Sequence, residues 1–486
     1  MKFKSSFIFF IIILNLFDFS ILDGEESKFA GITLSKSYKE LTNHNPCITS
    51  RFTAEPCVME YDNRIYVYGT NDGNMASATT KLDYEKCSSI NVMSTSDLVN
   101  WSDHGVINVC RFYSNPPVEW TYQSISPSVV HKKINGKEKF FLYFSAGGRC
   151  IGVIVSESPI GPWTDPIGSP MRLHEDSYGI YYNDPSAFID EDGSAYLYYG
   201  GGVAYGDNKV DKLRVVKLGN DMTTIEGNII NITAPWSYKD SNINKIGTTY
   251  LFSYSIDWSG SPYGMARTAY MTGNNPLGPF NFQGTFFNNP GEFFLPKIDS
   301  HHAIIKFKGK YYIFYQSGWL DMQINKKFKG HRTTHVDILP LIGVLYGDVT
   351  ATLTGVEQIE YINPYQINAL YTSAWQAGTS VIGTPGDITC YKRGDWNGVS
   401  GVNFSKGAKS ITINGGCSKN EGAVVRVSID SPSGDIIGYV TFPFTSVNFQ
   451  TSINVTSSLI TNVTGIKNIF FVASNDVFLN YYVFST

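Results

Sequence analysis

Two carboxylates stand in matching local settings, Glu55 in Thr53-Ala54-Glu55-Pro56 and Asp184 in Asn183-Asp184-Pro185-Ser186. Acid–base hydrolysis needs two carboxyl groups flanking the scissile bond, so such a pair can do chemistry if the fold brings it together. An acidic residue before proline is also an ordinary turn former. What separates the two readings is position. Each carboxylate lies just ahead of an aromatic hairpin, and the chain repeats that hairpin.

The hairpin unit is a tight turn followed by a short aromatic run. Asp62-Asn63-Arg64 leads into Ile65-Tyr66-Val67-Tyr68, and Asn135-Gly136 is followed by Phe140-Phe141-Leu142-Tyr143-Phe144. Asp192-Gly193 precedes Tyr196-Leu197-Tyr198-Tyr199, Gly247 precedes Tyr250-Leu251-Phe252-Ser253-Tyr254, and Gly309-Lys310 precedes Tyr311-Tyr312-Ile313-Phe314-Tyr315. Asn-Gly and Asp-Gly supply the positive φ angles of a two-residue turn, and apolar runs of this length read as strands buried on both faces. Five copies at intervals of roughly 50 to 75 residues suit one per four-stranded blade, which predicts an all-β five-bladed β-propeller over residues 40–350. A generic β-sandwich assembly is the competing arrangement. Beyond Leu339-Pro340 the pattern changes to period-two alternation, as in Lys409-Ser410-Ile411-Thr412-Ile413, with a turn at Ser431-Pro432-Ser433-Gly434. Residues 356–486 therefore read as a β-sandwich of jelly-roll type, with the boundary near 350–360.

Length and composition agree. The 486 residues exceed one ordinary domain, and 14% aromatic with 16% charged residues suits many short strands. A net charge of −4 without a basic stripe argues against a nucleic-acid partner. Lys2 and Lys4 precede an apolar run from Phe7 to Phe17, broken at Asn15 and closed by Asp18. That run is too short to span a membrane and reads as a signal peptide over residues 1–23, with an uncleaved anchor or buried helix as the alternative. The mature chain is expected to be secreted, with no membrane attachment after signal cleavage. Five Asn-x-Ser/Thr sites, at Asn100, Asn231, Asn403, Asn454 and Asn462, fit a secreted glycoprotein. The seven cysteines are too widely spaced for a metal knuckle; in an oxidising compartment some pairing is expected, and Cys390 with Cys417 would close a local loop.

At this point the chain resembles glycoside hydrolase family 43, in particular arabinoxylan arabinofuranohydrolases and xylosidases, with an appended family 6 carbohydrate-binding module. The resemblance runs from about Asn45 to the C-terminus. It is carried by Ser96-Asp97-Leu98-Val99-Asn100-Trp101, Ser158-Pro159-Ile160-Gly161-Pro162-Trp163, Asp184-Pro185, Asn275-Pro276-Leu277-Gly278-Pro279-Phe280 and His301-His302-Ala303-Ile304. The resemblance implies hydrolysis of O-glycosyl bonds with inversion, by an Asp base, a Glu acid and a second Asp that tunes the acid. Asp184 takes the tuning position, Glu55 the base position and Lys239, in Trp236-Ser237-Tyr238-Lys239-Asp240-Ser241, the acid position. Two of the three depart from the family. Glu55 shifts its oxygens by roughly 1 to 1.5 Å relative to Asp, whereas an ammonium with an ordinary pKa near ~10.4 is a poor acid. Lys239 is accordingly expected to pair with Glu55 or Asp184 within about 6 Å. Glu175, Asp176 and, least suitably, Asp240 are the substitute acids.

By the same resemblance His301 helps to hold a structural calcium through water at the propeller axis, and Arg332 lies near the substrate pocket. A packed histidine and a surface salt bridge are the plainer alternatives. No cofactor is required. Trp101 reads as blade packing. In the C-terminal module Tyr391 and Asn480 are candidate sugar contacts, although folding roles compete. Tyr481 and Ala369-Leu370-Tyr371 replace the acidic calcium ligands of relatives. Two functions follow: a polysaccharide-debranching glycosidase acting on arabinoxylan or a related polymer, or a catalytically weakened carbohydrate-binding protein on the same scaffold. The sequence leaves oligomeric state open.

Overall fold

The computed structural model describes residues 24–171, 173, 182–201, 213–256, 261–383, 385–447 and 451–486. The signal-peptide reading and the candidate acids Glu175 and Asp176 lie outside the described residues. No helix among the described residues is long and apolar enough to cross a membrane. The chain divides into two compact units. One spans Tyr38–Ile359 with Gly383–Gly386; the other comprises the N-terminal segment to Ser37, Glu360–Ile382 and Asp387–Thr486.

Among the described residues, five antiparallel sheets in chain order form the blades of the first unit, beside a two-stranded sheet of Leu341–Ile342 and Leu345–Tyr346. They contain β1 (Arg51–Tyr61), β2 (Arg64–Asn74), β3 (Ser89–Thr95) and β4 (Trp101–Asn108), then β5 (Ile125–Ile134), β6 (Lys137–Ala146) and β7 (Cys150–Ser156). The third holds β8 (Ser186–Ile189), β9 (Ala195–Gly200), β10 (Leu213–Leu218) and β11 (Ile225–Ile232). β12 (Ser237–Ile246), β13 (Thr249–Ile256), β14 (Thr268–Gly273) and β15 (Asn281–Phe287) form the fourth, and β16 (His302–Phe307), β17 (Lys310–Ser317) and β18 (Thr333–Ile338) the fifth. This is the five-bladed propeller.

The aromatic runs explain how blades pack. Successive residues of a strand face opposite ways, so each central strand feeds two inter-blade cores. On β6, Phe140, Leu142 and Phe144 pack with Tyr68 and Val92 of the first blade. Phe141 and Tyr143 pack with Leu197 and Tyr199 of the third. Tyr198 then meets Phe252 and Tyr254 of the fourth, Leu251 meets Ile313 and Tyr315 of the fifth, and Phe314 and Val336 close the ring on Ile65 and Trp101. Five such cores serve five blades. Residues 45–47 run beside β18, where Asn45 exchanges hydrogen bonds with Val336 at 2.9 Å each way and Cys47 N–H donates to Thr334. At the first two hairpins Asp62-Asn63 and Asn135-Gly136 adopt positive φ at both turn residues, as two-residue turns require.

The second unit is an antiparallel sandwich whose long strands Trp396–Cys417 and Ile453–Ala473 pair along most of their length. Its core gathers Val425, Val427, Phe471, Tyr482 and Phe484. A Cys390–Cys417 bridge, one pairing the sequence leaves open, does not fit. Cys390 pairs with Phe478, and Cys417 pairs with Val477 from the other side of the same strand. Two strand spacings, roughly 9.6 Å, then separate the cysteines, more than a disulfide spans. All seven cysteines are free thiols.

Candidate active site

The pocket forms where the innermost strands of the blades begin. Glu55, Ser126 and Asp184 each stand immediately before a proline and hold φ of 50°, 51° and 48°, and Asp240 holds 66°. A left-handed conformation before proline is disfavoured, and each such residue stores on the order of 1–3 kcal/mol of strain. At Glu55, Ser126 and Asp240 the pairing register shifts, so an extra residue bulges from the inner strand. A bulge re-aims side chains, here towards the axis. Ser126-Pro127 is a third copy of the Glu55-Pro56 and Asp184-Pro185 signal, one that reading carboxylates alone passes over.

Glu55 is buried and held on both oxygens. Thr70 Oγ1 donates to Oε2 at 2.5 Å and Ser126 N–H at 3.1 Å, while Arg332 Nη1 donates to Oε1 at 3.0 Å. Arg332 also chelates Asp72, through Nε at 2.8 Å and Nη2 at 2.9 Å. It is 3% exposed, so it is a buried partner of the pocket carboxylates and not a surface salt bridge. Burial alone would raise the Glu55 carboxyl; Arg332, then Lys239, outweigh it and hold Glu55 well below the usual carboxylate range. Asp184 goes the other way: burial raises its carboxyl despite the nearby ammonium.

Lys239 enters the same pocket. Its Nζ lies 4.0 Å from Glu55 Oε1 and 3.9 Å from Asp184 Oδ2, within the expected reach of both. Its strongest partner is one that sequence reading missed: Asp299 Oδ2, at 2.7 Å. Asp299 precedes β16 in a stretch with no acidic motif, and only the ring closure of the blades brings it opposite β12. Burial would lower the Lys239 ammonium, but Asp299, Asp184 and Glu55 drive it well above its ordinary value. Asp299 is held low in turn, because Lys239 and Arg332 outweigh its burial. The ammonium is therefore a fixed cation, not a proton donor.

Asp240 does not point away by regular strand alternation, because β12 is bulged there. Its Oδ2 accepts from the His302 backbone N–H at 3.0 Å and lies 2.6 Å from His302 Nδ1; Oδ1 is 3.3 Å from His301 Nε2. Its own N–H donates to Asp184 Oδ2 at 3.1 Å. Asp240 thus braces Asp184 and two histidines from below and has no free face for a leaving group.

Glu55, Asp184 and His301 bring one ligand atom each within 4.8 Å of one another, all buried. Calcium takes six to eight hard oxygen ligands. Here an ammonium already stands within 4.0 Å of both carboxylates. The axial channel below His301 is lined by Ser128, Ser186, Asn242, Asn244 and a single carboxylate, Glu60, among apolar side chains such as Val58, Val130 and Ile243. These residues do not fit a calcium ion.

In the sandwich, Tyr391 is 2% exposed and donates its hydroxyl to Asn397 at 2.6 Å, so it is a core residue and not a sugar contact. Asn480 donates to Asn414 at 2.7 Å, and Asn414 and Tyr481 both donate to the exposed Asn454. Trp101 is fully buried, its ring edge-on to Phe314, in blade packing as read. Asn100 is buried, with its amide on Asp97, and is closed to glycosylation in the folded chain.

Residues 44–339 match the model of glycosyl hydrolases family 43 and residues 371–486 that of carbohydrate binding module family 6. An arabinoxylan arabinofuranohydrolase of Bacillus subtilis is 34% identical over 97% of this chain and 96% of its own length. One of Paenibacillus polymyxa is 34% identical over 88% of this chain and 72% of its own. The crystal structure of a Bacillus subtilis family 43 arabinoxylan arabinofuranohydrolase with cellotetraose superimposes with a TM-score of 0.86 at 32% identity, covering 93% of this chain and 99% of the other. A five-bladed propeller with carboxylates at its axial mouth, matched over 296 residues, places the chain in glycosyl hydrolases family 43, with a family 6 carbohydrate-binding module at its C-terminus.

Proposed function

We propose that this protein is a secreted, arabinoxylan-directed member of the family whose propeller pocket binds an arabinofuranosyl or xylosyl branch and hydrolyses it slowly. The substrate class rests on the two arabinoxylan arabinofuranohydrolases to which the chain is similar. Secretion rests on the N-terminal signal pattern. The carrying observation for slow turnover is the Lys239 ammonium, 2.7 Å from Asp299 and about 4 Å from Glu55 and Asp184, at the position the family resemblance gives to the general acid.

A positioned acid contributes roughly 10²- to 10⁴-fold to such a reaction, and a cation beside an oxocarbenium-like transition state is unfavourable. Glu55 remains as a base that can direct water with inversion, weakened by Arg332. Calcium has no part in this chemistry.

One observation favours full turnover instead. The pKa values of Glu55 and Asp184 are pushed apart, as in an acid–base pair. Asp184, however, faces the Lys239 ammonium at 3.9 Å and takes the tuning position of the family resemblance, not the acid's. The weakened reading is the better supported.

The test is leaving-group dependence. A 2,4-dinitrophenyl arabinofuranoside needs no protonation to depart and should be cleaved, with the rate lost in Glu55→Gln. Arabinoxylan should release arabinose barely above background. Release at the ordinary enzymic range of about 1–10³ s⁻¹ would overturn the proposal.

A further inference from the structure

The connection between β4 and β5, residues 109–124, carries side chains that neither the fold nor the pocket uses. Phe112 is 58% exposed and Tyr122 50%, their ring centroids 5.2 Å apart and tilted by 56°. The Arg111 guanidinium lies 3.5 Å from the Tyr122 centroid and steadies that ring from one side. Leaving two neighbouring aromatic rings in water is unfavourable, and paired exposed rings are a feature of binding surfaces.

Strand register puts this connection at the pocket mouth. Arg51 pairs with Asn74 and Ile90 with Thr70, so β1 begins, β2 ends and β3 begins at the same end of the blade. Asn108 pairs with Ser89, so β4 returns there. Tyr122 is four positions before Ser126, whose N–H holds Glu55, which keeps it within about 14 Å of that hydrogen bond by chain length alone. Gln123 also donates to the Tyr84 carbonyl at 2.7 Å, and the Tyr84 ring lies under Arg332 at 5.1 Å. Tyr84 is itself 46% exposed. A path of exposed aromatic faces thus leads from the guanidinium beside the Glu55 carboxylate outward to Tyr122 and Phe112.

We propose that Phe112 and Tyr122 form a platform for the pyranose backbone of the polysaccharide whose branch enters the pocket. This rests on the reading given under Proposed function and adds the backbone as a second recognised element. The apolar C–H face of a pyranose stacks on an aromatic ring, while its hydroxyl edge finds donors in the Arg111 guanidinium and the tyrosine hydroxyls. Continuity with the pocket selects a sugar chain over a protein partner.

Calorimetry on the full chain tests it, with an arabinosylated xylo-oligosaccharide and with methyl arabinofuranoside, which reaches only the pocket. The sandwich is the same in all variants, so differences belong to the propeller. Phe112→Ala/Tyr122→Ala should weaken the oligosaccharide about tenfold and leave the monosaccharide unchanged. Tyr122→Phe, which keeps the ring, should bind like wild type. Equal oligosaccharide affinity in wild type and double variant would overturn the platform, as would an equal loss for both ligands. If wild type binds neither, the arabinoxylan reading itself fails.

Discussion

Lys239 Nζ stands 2.7 Å from Asp299 Oδ2, and the pair closes a pocket that also holds Glu55 and Asp184. A cation and an additional carboxylate therefore occur together. They come from different blades, β12 and the segment before β16, and neither is intelligible without the other. A buried ammonium among three carboxylates is satisfied, whereas a buried carboxylate in its place would meet three like charges.

Restoring an acid should consequently take two changes. Lys239→Glu alone faces Asp299 across the gap the ion pair now fills, and the new carboxyl is pushed out of line. Lys239→Glu with Asp299→Asn should raise arabinose release from arabinoxylan by about 10²-fold or more over wild type, and well above the single variant. Equal activity in the single and double variants would show that Asp299 does not matter.

Arg332 binds two buried carboxylates, so its loss is a stability event. Arg332→Ala leaves Glu55 and Asp72 uncompensated, with an expected cost of about 3–5 kcal/mol in urea unfolding. Arg332→Lys should recover part of that, because one ammonium cannot replace the fork that grips Asp72 through two nitrogens.

Asp337 gives a stability change with a defined sign. Burial pushes its carboxyl up to about 6, against its hydrogen bonds from Thr352 and Tyr315. A raised folded value means that its contribution is fully present below the unfolded value near 3.8 and is lost as pH rises through about 6. The Tm of wild type relative to that of Asp337→Asn, which does not titrate, should thus fall from pH 4 to pH 6.5 and then level off. A wild-type Tm that rises relative to the variant over this range would refute the assignment.

Calcium and disulfides should both be irrelevant to stability. Adding calcium or chelator is expected to leave Tm unchanged, since Lys239 already neutralises the carboxylates that would bind the ion. Non-reducing peptide mapping should find no Cys390–Cys417 link, because one strand lies between the two residues.

The blade count was legible in the chain because local chemistry writes it: a turn needing positive φ, then a run of aromatics buried on both faces. The same holds for the sandwich alternation and for the X-Pro settings that mark Glu55 and Asp184, whereas Lys239 was legible only through the resemblance to the family. Asp299 was not legible. Nor were the hold of Ser126 and Arg332 on Glu55, the inward turn of Asp240, the burial of Tyr391 or the separation of Cys390 from Cys417. These depend on which blades become neighbours, on bulges that break alternation and on the strand that runs between two others. The sequence by itself determined the repeating unit and the charges available to it. Only closure of the ring decided which charges meet, because an ion pair depends on a few ångströms across blades that lie some sixty residues apart along the chain.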